Sequence, residues 1–161
     1  MIDLNPIRFG TLALLILAGC NSDPAGVNQF DLAAARARWN RSGIEDYQVD
    51  LQLQGPLNNP RGFIRLQVRQ GQVVSAQISD TLYQFTPPLD SWPTVPDVFD
   101  LIEVNIQHHP GSMEMSVDAT FDENLGYPRR VTITCVPAIP DCGPSTYEFR
   151  NLKPRASINR Q

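Results

Sequence analysis

The chain has few of the residues that usually carry chemistry. Its 161 residues include one lysine, Lys153, and two histidines, His108 and His109. Formal net charge is -4, and the other bases are arginines spread along the chain, read here as composition rather than as a site. Without a basic patch, nucleic acid is excluded as a partner. No apolar run approaches the roughly 20 residues a helix needs to cross a hydrocarbon core. No glycine-rich phosphate loop occurs. DATFDENLG lacks the Asp-x-Asp-x-Asp-Gly calcium pattern, so Asp118, Asp122 and Glu123 read as a solvated turn. Ser91, Ser112 and Ser145 stand in no nucleophile-elbow context. His108 and His109 are adjacent, with no cysteine or acid at ligand spacing, and read as a loop that caps a helix end. Nothing calls for a cofactor or a metal.

What is present begins at the amino terminus. Arg8 precedes an apolar stretch from Leu12 to Leu17, then the small residues Ala18-Gly19. That is a secretory layout of positive, apolar and small-residue regions over residues 1–19. Leu17-Ala18-Gly19-Cys20 resembles the lipobox of bacterial lipoproteins. The resemblance implies that Cys20 receives a diacylglycerol, becomes the first mature residue and carries two or three palmitate-class acyl chains. One chain gives only marginal membrane binding, at about 0.8 kcal/mol per buried CH₂, so several are needed to anchor a protein. The resemblance thus implies a membrane-lipid partner through Cys20 and a domain in the periplasm. Asn21 in place of aspartate favours the outer over the inner membrane.

Cys135 and Cys142 then remain as a pair, bracketing CVPAIPDC. An even cysteine count in an exported domain reads as a disulfide. Closing so short a ring removes roughly 2 kcal/mol of unfolded-chain entropy, less any strain. The alternatives are a redox pair, usually spaced Cys-x-x-Cys, and a zinc site, which needs two further ligands.

Residues 20–30 are small and polar and read as a flexible tether. A single domain is expected over 31–153. DLAAARARWNRSG reads as a helix with Asp31 as N-cap, Gly43 as C-cap and Leu32, Ala35 and Trp39 on one face. YQVDLQLQ, FIRLQVR and VVSAQIS alternate apolar and polar, the period of strands with one wet face. Gln70-Gly71 supplies a tight turn. Residues 80–93 are irregular. Thr94 opens a second helix with Asp97 completing a capping box, and Val95, Val98, Phe99, Ile102 and Ile106 read as a core stripe. Three more strands follow, through Met113–Thr120, Val131–Cys135 and TYEFRN, with DENLGYPRR as a turn; residues 154–161 read as a polar tail. The expectation is an α+β fold in the order αβββαβββ, with an antiparallel sheet of about six strands and two helices packed on one face. The two αβββ units suggest a duplicated plan.

RARWNRSGIEDYQVDLQ, TVPDVFDLIE, LGYPRRVTI and TYEF together resemble a family of bacterial secreted proteins and lipoproteins catalogued as a domain of unknown function. The match runs from about residue 33 to 152. The family has an acidic turn in its last hairpin, where this chain has the cysteine-bracketed loop. The resemblance implies fold and location but no reaction. Tyr83, Phe85 and Trp92 in the proline-rich connection, and Tyr127 in Leu-Gly-Tyr-Pro, are candidate interaction residues, aromatics being favoured at interfaces; for each, packing onto the core is the competing role. The favoured reading is a lipid-anchored, non-enzymatic binding or structural module with an envelope-protein partner. The alternative is a small periplasmic hydrolase or metal-dependent enzyme using His108 and His109.

Overall fold

The computed structural model describes residues 29–55, 60–80, 82, 87–107, 114–136 and 143–155. Its elements are α1 (Gln29–Ser42), β1 (Tyr47–Gln54), β2 (Ile64–Arg69), β3 (Gln72–Ile78), α2 (Val95–Ile106), β4 (Glu114–Phe121), β5 (Pro128–Val136) and β6 (Ser145–Pro154). The signal segment and most of the tether lie outside the described residues. One 3₁₀ turn, Leu89–Ser91, interrupts the irregular connection before α2.

Local sequence accounts for both helices. α1 opens at Gln29, so Asp31 is not its N-cap but lies in the first turn, where a carboxylate favours the positive end of the helix dipole. The helix ends at Gly43, whose φ of +61° is left-handed and whose N–H donates to Asn40 O at 3.2 Å. α2 carries the expected capping box. Thr94 Oγ1 accepts from Asp97 N, and Asp97 Oδ2 accepts from Thr94 N at 2.8 Å. Pro96 falls in the first turn, where a missing N–H costs nothing.

The six strands lie in the order β3-β2-β1-β6-β5-β4, every neighbouring pair antiparallel. Gln70 (φ +49°) and Gly71 (φ +73°) form the two-residue β2–β3 turn, the twist that suits a hairpin. This topology removes the duplicated plan. Both units lie third-second-first in the same sense across the sheet, yet β1 and β4 run in opposite directions. A rotation superposing one unit on the other would reverse the sheet normal and put the helices on opposite faces. They share one face.

That shared core joins Leu32, Ala35 and Trp39 of α1 with Val95, Val98, Phe99 and Ile102 of α2, over alternate residues of the strands. Trp39 meets Tyr47 edge-to-face at 5.6 Å, and Phe99 stacks on Phe121 at 6.1 Å. The Tyr47 hydroxyl is buried, and it accepts from Val95 N at 3.0 Å. Tyr47 thereby ties β1 to the start of α2, and burial pushes its phenol up to about 12. Arg36 of α1 donates to Asp100 at 2.8 Å and to Glu103 at 2.9 Å, and lies over the Phe99 ring. These exposed pairs hold the helices side by side more by position than by energy.

Two strand boundaries also differ from expectation. Pro128 to Arg130 are strand, not turn, so the β4–β5 connection is shorter than DENLGYPRR. Asp122 makes this compactness possible, because its Oδ1 accepts from Asn124 N and Leu125 N. β6 runs to Pro154, so the expected tail begins inside the strand. Arg155 N donates to Asp46 O at 2.8 Å and extends that order by one residue.

Candidate functional site

Six of the sequence-expected site residues, Cys20, Tyr83, Phe85, His108, His109 and Cys142, lie outside the described residues. The others are buried. Cys135 sits on the helix-covered face of β5, paired across the sheet with Met115 and 2% exposed. Tyr127 is 9% exposed, because the Leu-Gly-Tyr-Pro turn folds onto α1. Gly126 is at φ +81°, and a Cβ there would stand 2.2 Å from Ala35 O. Burial raises the Tyr127 phenol. Trp92, 5% exposed, is also core. Neither aromatic offers the exposed surface expected of it, and the structure does not bring them together into one patch.

Polar groups converge in two places. The first is the sheet face away from the helices. Asp50 accepts from Arg65 Nε at 2.9 Å and from Asn151 Nδ2 at 3.0 Å. Asn151 has φ +53°, at a bulge where the register of β1 against β6 shifts. The bulge changes the phase of β6, so that Leu152 rather than Asn151 packs on the core. Hydrogen bonding to Arg65 holds the Asp50 carboxyl below its ordinary value. Nearby, Asp46 accepts from Gln70 N at 2.8 Å and Arg69 at 3.2 Å, and the Gln70 bond likewise lowers its carboxyl. Asp46 thus clamps the β2–β3 turn. Both acids serve the sheet: their bonds fix a bulge and a hairpin. The sequence showed Asp50 only as one of the polar alternates in YQVDLQLQ. Its partner is 101 residues away, and no local signal marks it.

The second place is a cleft of about 580 Å³ at the outer edge of β3, lined by Gly71, Gln72, Val73, Leu89, Asp90, Trp92, Thr94 and Asp97. It is built by the 3₁₀ turn and the start of α2 lying against the first residues of β3. The Trp92 Nε1 donor is buried and has no hydrogen-bond partner among the described residues. A buried donor left unpaired costs about 1–3 kcal/mol. Asp90 and Asp97 are the charged members of the lining among the described residues. The lining suits a ligand group with a positive charge. Among the described residues, no three His, Cys, Asp or Glu side chains gather where they could share a metal ion. Among them, too, no helix is long and apolar enough to cross a membrane.

The architecture defines an α+β domain with helices on one sheet face, polar networks on the other and an acidic cleft at one edge. Residues 31–154 match the model of a family described as a family of unknown function (DUF6174). That match covers well over half of the chain, and the chain belongs to this family. No curated protein and no solved structure matches it.

Proposed function

We propose that this chain is a lipid-anchored cell-envelope protein whose domain is a non-enzymatic binding module. The observation that carries the binding reading is the cleft beside Trp92, whose charged lining among the described residues is Asp90 and Asp97. The anchor is supported by Leu17-Ala18-Gly19-Cys20, a short tether's length before α1 opens at Gln29. On this reading Cys20 carries the acyl chains, Asn21 directs the protein to the outer membrane and the domain sits in the periplasm. Cys135 pairs with Cys142 and closes the loop between β5 and β6. The Asp46 and Asp50 networks keep the sheet in register, which makes it a rigid support for the cleft at its edge.

The test is Cys20→Ser in the producing bacterium, with an alkyne fatty acid fed to the cells. The unaltered protein is expected to incorporate the label and sediment with outer membranes, and the variant to do neither. A variant that is still labelled and still sediments contradicts the anchor.

A further inference from the structure

We propose that the polar sheet face rests on the anionic lipid surface of the membrane to which the chain is tethered, its exposed arginines and Lys153 meeting phosphate headgroups. The proposal rests on the anchored reading above and adds which side of the domain meets the lipid.

Read along the chain the bases look scattered, but the sheet gathers them. Residues opposite each other on paired strands share a face. On the side away from the helices the cross-strand rows are Arg65–Asp50–Arg150, Gln48–Lys153 and Gln52–Glu148–Arg130. Arg69 lies on the same side against Asp46, and Arg155 reaches over β1 to donate to Gln48 Oε1 at 2.9 Å. This band over β2, β1, β6 and the start of β5 therefore holds six bases, Arg65, Arg69, Arg130, Arg150, Lys153 and Arg155. Against them stand three acids, Asp46, Asp50 and Glu148, on a chain whose net charge is -4. Glu114 and Asp118 bound the band at the β4 margin.

Height matters as much as number. In each ion pair of this face the base stands outward over its acid. The side chains of Arg65 and Asp50 are 51% and 11% exposed, those of Arg150 and Glu148 54% and 17%, and those of Arg69 and Asp46 34% and 9%. On the helix side the order is reversed: Arg36, 31% exposed, lies beneath Asp100 at 66% and Glu103 at 47%. One side of the domain presents guanidinium and the other carboxylate. An anionic surface attracts the first and repels the second.

The tether sets the distance. Residues 20–28 precede α1 and reach at most about 30 Å. That exceeds the roughly 20 Å of a helix layer on a sheet, so the anchored domain is free to turn its sheet face to the lipid. Held so close, a small excess of charge suffices to dock it.

The test reconstitutes membrane-purified full chain into vesicles of phosphatidylcholine, alone or mixed equally with phosphatidylglycerol. Phenylglyoxal modification of each arginine is then read by mass spectrometry, and flotation with both kinds of vesicle reports the anchor separately. With phosphatidylglycerol present, Arg65, Arg130 and Arg150 are expected to be modified more slowly, and added salt is expected to remove the difference. Arg36 and Arg41 of α1 are expected to react equally in both. Arg130→Gln with Lys153→Gln removes two exposed bases. Each loss is expected to lower the ratio of docked to free domain about fivefold, so protection of Arg65 and Arg150 falls. Equal modification in the two vesicles, in a chain that floats with both, overturns the docking and leaves the anchor standing. A chain that floats with neither overturns the anchor and the docking with it. Protection of Arg65 and Arg150 in native membranes but not in phosphatidylglycerol vesicles assigns the face to an envelope protein and overturns the lipid partner.

Discussion

Replacing Gly126 with alanine should unfold the chain far more readily than the same change at Gly43. Both glycines have left-handed φ, +81° and +61°, so each alanine bears the conformational penalty of that region, about 1–2 kcal/mol. Their surroundings differ. A Cβ at Gly43 meets nothing within 4 Å, whereas at Gly126 it would lie 2.2 Å from Ala35 O and 2.8 Å from Arg38 Cβ. The first of these neighbours is helix backbone and cannot swing aside. Either α1 or the β4–β5 turn must shift, which adds a further 1–3 kcal/mol typical of overpacking. The total at Gly126 is about 2–5 kcal/mol. With a urea slope of about 2 kcal/mol per M, the midpoint falls by roughly 1–2.5 M for Gly126→Ala and roughly 0.5–1 M for Gly43→Ala. Tryptophan fluorescence reads the transition, since Trp39 and Trp92 are both buried. Equal midpoints for the two variants would refute the docking of the Leu-Gly-Tyr-Pro turn on α1.

Tyr47→Phe leaves Val95 N without its acceptor and should cost about 1–3 kcal/mol in the same assay, with little change in the exposed helix-helix pairs. The raised phenol of Tyr47 also sets an alkaline limit. Its contribution is complete below pH 10 and is lost as pH rises toward about 12, so ultraviolet titration should show one tyrosine ionising only with unfolding. At the acid end the sign reverses. Asp46 and Asp50 are held below the ordinary carboxylate value, so their contribution is present above about pH 4 and disappears as pH falls through the lower folded values. Urea midpoints measured from neutral to acid pH should therefore drop less steeply in an Asp50→Asn chain than in the unaltered one. Asn151→Ala removes the side-chain bond to Asp50 and, at φ +53°, the residue type that tolerates the bulge. It should be less stable by about 1–2 kcal/mol, while Asn151→Gly, which tolerates that φ, should lose less.

Much of the fold was legible because its signals are local. Period-two alternation marks YQVDLQLQ as a strand without reference to any partner, and Thr94 with Asp97 marks a helix start within four residues. The parts that were not legible depend on meetings between distant segments. The pairing of β1 with β6 joins the two ends of the domain, and its bulge at Asn151 leaves no trace in TYEFRN. Pro128 lies within the expected turn DENLGYPRR yet opens β5, because at the first position of a strand the donor that proline lacks is not required. For Trp92 and Tyr127 aromatic composition allows an interface but favours packing onto the core, and both are buried. The cleft itself had no sequence signal. It arises where the connection before α2 lies along β3, and that placement follows from tertiary packing.

The central claim, a domain held at the envelope by acylated Cys20, is tested most directly by mass spectrometry of the amino-terminal peptide from membrane-purified protein. The account predicts a peptide that begins at Cys20 and carries a diacylglyceryl group with or without an amide-linked acyl chain. A peptide that reads through Cys20 from an upstream residue, or begins there with an unmodified thiol, contradicts it.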